Sequence, residues 1–206
     1  LVMLIPKSLG IILPQLLSRT FDKHGLNEAK VILFQAMKFF STVSIPLIVY
    51  IYFNSFTILT IFANKQIANA GVIISLITSL SVVLLGMNLI MTNVLMVNLK
   101  TKNIFKINLV VSFVNIALNL ILLNYFKDIN IPAFTTLLAY FLSTILILRT
   151  IDKSWLQKEM ILVIFKNLLL AIIIFTIIYF INNFIPTYNR IIDLTINTSI
   201  YIILFL

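Results

Sequence analysis

Long apolar stretches separated by short polar loops fill this chain of 206 residues. Each central stretch has roughly the 20 residues that an α-helix needs to cross about 30 Å of hydrocarbon. Odd and even positions are equally apolar, whereas the strands of a membrane barrel alternate. We therefore predict an all-α fold, a polytopic bundle of about six or seven transmembrane helices that forms one domain. The predicted spans are 1–17, 39–62, 68–97, 104–126, 131–151, 161–185 and 191–206.

The first and last of these spans are shorter than the others. The sequence begins and ends inside an apolar run, and a complete span needs roughly 20 residues. We therefore expect this sequence to be a fragment of a longer protein.

The composition favours a membrane protein and excludes several other classes. The chain is 61% hydrophobic and 10% charged, with a mean hydropathy of +1.13, whereas about 25% of the residues of a soluble domain are charged. The net charge of +9 does not indicate nucleic-acid binding, because the basic residues lie singly between apolar runs. The absence of cysteine excludes a disulfide framework and thiolate metal ligands.

Lysine and arginine are unevenly distributed among the loops. The loops rich in them are 18–38, 98–106 and 149–160, and the intervening loops contain only Lys65, Lys127 and Arg190. The positive-inside rule places loops rich in these residues in the cytoplasm. The sequence therefore predicts a multi-pass protein with three cytoplasmic loops on its basic side.

Polar side chains form a stripe along the fourth span. They are Asn108, Ser112, Asn115 and Asn119. Intervals of three and four residues place them on one face of a helix, and Asn93 lies on a similar face of the third span. Such groups act either as hydrogen-bonding contacts between helices or as the lining of a cavity for a polar substrate. Both interpretations stay open, and Asn93, Asn115 and Asn119 are candidate cavity residues.

Lys7 is the one cation near the middle of a predicted span. It precedes Arg19 by about 18 Å of helix, and an ammonium at such a depth costs about 2.5–3.5 kcal/mol on insertion scales. We therefore expect Lys7 to face a cavity, where it would meet an anionic group such as a phosphate. Two alternatives stay open: the side chain reaches the outer interface, or the first span is misplaced.

Acidic residues are absent from the interiors of the predicted spans. A proton relay or cation site inside a membrane normally needs a buried carboxylate. A membrane hydrolase or metalloenzyme needs a general base or a ligand cluster. The sequence accordingly predicts no catalytic residues, no metal site and no cofactor, in a protein that is not an enzyme.

Two segments carry motifs of a known family. The first has the pattern of a helix end and its cytoplasmic loop at Pro14, Ser18, Arg19, Gly25, Glu28 and Ala29. The second has the pattern of a helical pair at Asn115, Leu118, Asn119, Leu122, Ala133, Thr136, Ala139 and Tyr140. Both segments resemble the Wzx-type oligosaccharide flippases of polysaccharide synthesis, although Asp128, Asn130 and Pro132 stand where that family has a glycine-rich turn.

The resemblance implies a fold, a location and an activity. The family shares a superfamily with the multidrug extrusion (MATE) proteins and the lipid II flippases, and usually has two helical bundles. This chain would be the C-terminal bundle, entered partway through the eighth helix, in a bacterial inner membrane. By alternating access, the protein would flip undecaprenyl-pyrophosphate-linked oligosaccharide repeat units for O-antigen, lipopolysaccharide or capsule synthesis. Lys7 would meet the pyrophosphate, and membrane lipids and polysaccharide polymerases would be the other partners.

Three other functions stay open, and one of them is a purely structural membrane subunit, which a transport assay with the complete protein would distinguish from a flippase. A MATE-type multidrug antiporter would more often contain a buried carboxylate, which residues outside this sequence could supply. An integral-membrane polymerase or ligase would need a large outer loop with Arg, His or acidic residues, and the outer loops here are short.

Overall fold

The computed structural model describes residues 4–184 and 198–199, with side chains described over 10–180 and 198–199. This part of the chain contains α-helices and one 3₁₀ turn, and no strands. The helices are α1 (Leu4–His24), α2 (Leu26–Phe62), α3 (Lys65–Val97), α4 (Thr101–Phe126), α5 (Ile131–Thr150) and α6 (Lys158–Phe184), with the 3₁₀ turn at Lys153–Trp155. The predicted all-α class is confirmed.

Five of the described helices, α2 to α6, are long and apolar enough to cross a membrane. α1 is not among them, because Lys7, Gln15 and Arg19 interrupt its apolar residues. These helices confirm a polytopic membrane bundle. The predicted last span, 191–206, lies outside the described residues apart from two helical positions, 198 and 199.

The sequence predicts a loop over 18–38 with room for a short surface helix from Asn27, whereas the structure has long helices on both sides of Gly25. α1 and α2 run through this segment, and Gly25 alone separates them. Gly25 has a φ of 82°, a conformation that glycine adopts without steric cost. Beyond it, Ala29, Leu33 and Met37 recur at helical spacing and are buried. Packing of this apolar face keeps the charged segment helical.

α3 is the central helix of the bundle. It packs along α1, α2 and α5 and touches α4 at few points, whereas α6 packs on α2. The contact between α2 and α3 is close at Gly86, where a Cβ would overlap the ring of Phe40. Phe40 itself is fully buried. A small residue at this position therefore lets the two backbones approach.

The turn between α4 and α5 forms without glycine. Lys127 takes the left-handed conformation, with a φ of 49°. The Asp128 carboxylate accepts hydrogen bonds from both the backbone and the side-chain amide of Asn130, each at 2.9 Å. Pro132 lies in the first turn of α5, where its missing N–H has no helical partner to lose. These residues replace the glycine-rich turn of the resembling family.

The lysine-rich junctions meet at one end of the bundle. The Phe21 ring at the end of α1 stacks on Trp155 with a centroid distance of 5.6 Å. Lys100, between α3 and α4, forms a 3.0 Å ion pair with Asp152, which follows α5. The lysine-poor turns after α2 and α4 lie at the other end, since successive helices reverse direction. We call the end where the lysine-rich junctions meet the basic end of the bundle.

Candidate functional site

α1 has one face packed in the bundle and one face open. Leu13 and Leu17 are 3% and 0% exposed and belong to the hydrophobic core. Gln15, Ser18 and Arg19 are exposed, and their spacing of three and four residues places them on one side of the helix. We call Gln15, Ser18 and Arg19 the open face of α1.

Two adjoining depressions lie along the open face. One, of about 570 Å³, is lined by Pro14, Gln15, Ser18, Arg19, Asp22 and Lys23. The other, of about 400 Å³, is lined by Ile12, Gln15, Leu16 and Arg19. Gln15 and Arg19 border both depressions, so a single ligand lying along α1 would contact both side chains.

Arg19 is placed to bind an anion. In the described part of the chain, its guanidinium has no hydrogen bond or ion pair. A guanidinium presents five donors in a fixed planar fork that matches phosphate oxygens. The amide of Gln15 lies one turn away and can both donate and accept hydrogen bonds. Together they fit a ligand with a charged phosphate group and polar neighbours.

Lys7 lies on the same helix, two turns before Gln15. Its backbone belongs to α1, but its side chain lies outside the described residues. The prediction that Lys7 faces a cavity therefore stays a prediction.

Asn115 and Asn119 lie at the contact between α4 and α5. The Asn119 side-chain NH₂ donates to the Asn115 side-chain oxygen at 3.1 Å. The Asn119 side-chain oxygen accepts from the Thr135 hydroxyl at 2.9 Å, so this network links two helices. Asn108 and Ser112, earlier on the stripe, are exposed. Two residues of the predicted stripe, Asn115 and Asn119, therefore belong to a contact between helices, and the other two are exposed.

Asn93 lies in the packed interior of the bundle. It is 3% exposed, and its side-chain NH₂ donates to the carbonyl oxygens of Leu89 and Ile90 at 2.9 and 3.2 Å. Both acceptors belong to the same helix. In this conformation, Asn93 lies apart from the open face of α1.

A second polar contact between helices was not predicted from the sequence. The side chain of Asn167 on α6 donates to the hydroxyls of Ser41 and Thr42 on α2, at 3.0 and 3.1 Å. Asn167 is 8% exposed. The sequence did contain an indication of this contact. Asn167 lies within a largely apolar run, and a buried amide in a membrane needs a hydrogen-bonding partner.

The acidic side chains of the described region are all exposed. They are Asp22, Glu28, Asp128, Asp152 and Glu159. No group of three or more His, Cys, Asp or Glu in the described part of the chain could hold a metal ion. The site of interest in this part of the chain is therefore the cationic open face of α1.

A comparison with protein families identifies the fold family. The MatE family model matches residues 1–121, which is more than half of the 206 residues. The chain belongs to the MatE family. The matched region of this MatE-family chain includes the open face of α1 and both Asn115 and Asn119. Its helices make it a multi-pass membrane protein.

A solved structure has the same fold as this MatE-family chain. It is described as the lipid II flippase MurJ in an inward closed conformation. The match covers 98% of this chain with a TM-score of 0.72 and 20% sequence identity. The chain spans only 43% of the length of that structure. No curated protein matches the chain.

Proposed function

We propose that this protein is a flippase that moves lipid-linked oligosaccharide repeat units across the bacterial inner membrane. The observation that carries the proposal is the open face of α1, where Gln15 and Arg19 border depressions of about 570 and 400 Å³. Family membership and the fold shared with a lipid II flippase support the same class of transporter. The proposed substrate is an undecaprenyl-pyrophosphate-linked oligosaccharide, destined for O-antigen or capsule.

The open face of α1 matches the chemistry of that substrate's headgroup. Arg19 would bind the pyrophosphate with two parallel hydrogen bonds, a geometry that a guanidinium favours. Gln15 would bind sugar hydroxyls, to which an amide can both donate and accept. Lys7, two turns further along α1, would offer a second cation as the headgroup crosses the membrane. The lipid tail stays in the hydrocarbon throughout, so only the polar headgroup needs a protein-lined path.

Alternating access would require a second bundle facing α1. The open face of α1 carries polar residues that no other helix of the described part covers, and polar groups facing lipid are costly. A second bundle on the other side of a water-filled cavity removes that cost. The MurJ structure is more than twice as long as the region that this chain matches. We propose that this chain acts as the C-terminal bundle of such a pair.

The basic end of the bundle would lie in the cytoplasm. Its junctions carry most of the lysine and arginine of the chain, which the positive-inside rule retains on that side. The depressions along α1 are near this end, because Arg19 precedes the end of the helix by about 8 Å. The headgroup would therefore be loaded from the cytoplasmic side. Polysaccharide polymerases on the outer side would be the partners that use the product.

Two of the alternatives have no supporting feature in the described residues. A MATE-type antiporter with a buried carboxylate would need to take that group from another part of the complete protein, because the acidic side chains of the described residues are all exposed. A polymerase or ligase would need a large outer loop, and the described turns at the lysine-poor end are the short segments 63–64 and 127–130. We propose a transporter without bond-breaking chemistry.

The test is translocation of a lipid-linked oligosaccharide in vesicles that contain the complete protein. Arg19→Gln should lower the rate at least about tenfold, because a hydrogen bond to a charged group contributes about 1.5–3 kcal/mol. Lys102→Gln removes an exposed cation at the start of α4 and should leave the rate unchanged. Full activity of Arg19→Gln, with normal insertion, would contradict the proposal.

A further inference from the structure

An apolar slot, open on one side, lies between α5 and α6, away from the open face of α1. Its volume is about 250 Å³. In the described part of the chain, α5 and α6 have no extensive contact with one another, and the slot lies between them against α2 and α3. Four methionines line it, namely Met37, Met87, Met91 and Met160. The structure thus contains a cavity that the proposed transport cycle does not use.

The interior of the slot offers few binding partners to water. Its polar lining residues include Asn88 and Thr144, and both donate to the carbonyl oxygen of Tyr140, at 3.0 and 2.9 Å. Their hydrogen-bonding groups are therefore engaged with the protein. A water molecule needs two to four polar partners to occupy a buried cavity. An apolar occupant is the one that fits.

The slot opens toward the surrounding hydrocarbon. Its inner wall includes Met37 and Met160, which are buried, whereas Leu148 and Ile161 at the rim are 41% and 71% exposed. A chain entering from the membrane would pass between α5 and α6. Methionine side chains adapt to a flexible chain, because they are unbranched and polarisable.

Two lysines flank, in the sequence, the segment that lines one end of the slot, which we call its mouth. Leu156 and Gln157 line it, and they lie between Lys153 and Lys158, both of which are exposed. Asp152 is already paired with Lys100 at 3.0 Å, so its charge is compensated, and Glu159 is the remaining acid of this segment. The mouth is at the basic end of the bundle, where lipid headgroups meet the protein. A lipid whose chain enters here would place its headgroup beside two lysines.

We propose that the slot binds one acyl chain of a membrane phospholipid with an anionic headgroup, held by Lys153 and Lys158. The occupant is a resident lipid, distinct from the transported substrate. It would fill the gap between α5 and α6 and join two helices that do not pack together. The features that would select this lipid are the apolar, methionine-lined slot and the two lysines beside its mouth.

The experiment measures which lipids stay bound to the complete protein. The protein is reconstituted in bilayers with equal amounts of phosphatidylglycerol and phosphatidylethanolamine, and released for native mass spectrometry. We expect about one retained phospholipid per chain, enriched in phosphatidylglycerol. Equal retention of the two lipids, or none, would overturn the proposal.

Two pairs of variants locate the site. Ile164→Trp fills the slot and should lower occupancy at least about fivefold, whereas Ile172→Trp, on an exposed part of the same helix, should not. Leu148→Trp blocks the mouth and gives a second test if Ile164→Trp unfolds. Replacing Lys153 and Lys158 by Gln should abolish the preference for phosphatidylglycerol, whereas the same change at Lys102 and Lys106 should preserve it.

The outcomes separate the resident lipid from other occupants. Unchanged occupancy in both tryptophan variants would place the bound lipid elsewhere and overturn the proposal. Added undecaprenyl phosphate should leave the bound phospholipid in place. Its displacement by undecaprenyl phosphate would assign the slot to the tail of a transported lipid. None of these measurements depends on transport activity. A failure of the lipid-binding proposal can therefore be distinguished from a failure of the proposed flippase function.

Discussion

Buried amide and hydroxyl side chains join the helices of this bundle. Asn119 accepts from Thr135 across α4 and α5 at 2.9 Å. Asn167 donates to Ser41 and Thr42 across α6 and α2 at 3.0 and 3.1 Å. Between helices in a membrane, such bonds contribute roughly 0.6–2 kcal/mol. They fix which faces of neighbouring helices meet, because apolar side chains pack almost equally well against lipid.

Replacing Asn119 should destabilise the contact between α4 and α5. Asn119→Leu removes the acceptor of Thr135, which is fully buried, so we expect a loss of about 1 kcal/mol in the free energy of unfolding. Asn108→Leu is the matched control, since Asn108 lies on the same stripe but is exposed. Thermal unfolding in detergent would measure both. Equal effects of the two changes would contradict the structural role of Asn119.

The sequence could predict the polar stripe on α4, but not which of its residues contact α5 and which stay exposed. The spacing of the asparagines alone places them on one face. Whether Asn119 contacts a helix or a cavity depends on where α5 packs, and Thr135 is 16 residues further along the chain. The open face of α1 was missed for a similar reason. In the sequence, Ser18 and Arg19 were only part of a helix end, and the burial of Leu13 and Leu17 was needed to distinguish the two faces of α1.

At the scale of the elements, a single glycine sets the geometry of α1 and α2. Gly25 has a φ of 82° and a ψ of −173°, a region that is essentially restricted to glycine. One residue therefore separates two helices that would otherwise merge. The sequence predicts a loop over 18–38 because this segment lies between two apolar spans and contains four basic residues. The buried positions Ala29, Leu33 and Met37 show that a charged helix can still pack through one face.

Gly25→Ala should destabilise the protein, whereas Gly10→Ala should not. A side chain at Gly25 must adopt a strained conformation that costs about 1–3 kcal/mol. Gly10 lies in the helix with open space around its Cβ position, and alanine there should stabilise the helix by about 0.5–1 kcal/mol. Thermal unfolding of the two variants would compare them. A Gly25→Ala protein as stable as the Gly10→Ala protein would refute the assigned conformation.

At the scale of the whole molecule, charge distinguishes the two ends of the bundle. The ion pair between Lys100 and Asp152 and the stacked rings of Phe21 and Trp155 hold the basic end together. This arrangement could be predicted from the sequence in outline, since the alternation of lysine-rich and lysine-poor loops requires successive helices to reverse. The slot between α5 and α6 could not be predicted from the sequence. It depends on how these two helices pack, and neither helix has an unusual sequence pattern that indicates a gap.

Single cysteines should report the orientation of the chain. The sequence has no cysteine, so each introduced thiol would be labelled without background from this region. In intact cells, Lys65→Cys and Lys127→Cys should react with a membrane-impermeant reagent, because they lie in lysine-poor turns. Lys102→Cys should react only after the membrane is opened. Reaction of Lys65→Cys and Lys127→Cys from the cytoplasmic side alone would reverse the proposed orientation.

The central claim is that the open face of α1 contacts the headgroup of a lipid-linked oligosaccharide. The most direct measurement is the labelling of Gln15→Cys in the complete protein by a charged, water-soluble thiol reagent, with Ile172→Cys as the lipid-facing control. We predict that Gln15→Cys reacts, that undecaprenyl-pyrophosphate-linked oligosaccharide slows its reaction, and that free undecaprenol does not. Ile172→Cys should stay unreactive. A Gln15→Cys protein that never reacts, or that reacts at the same rate with and without the lipid-linked oligosaccharide, would contradict the account.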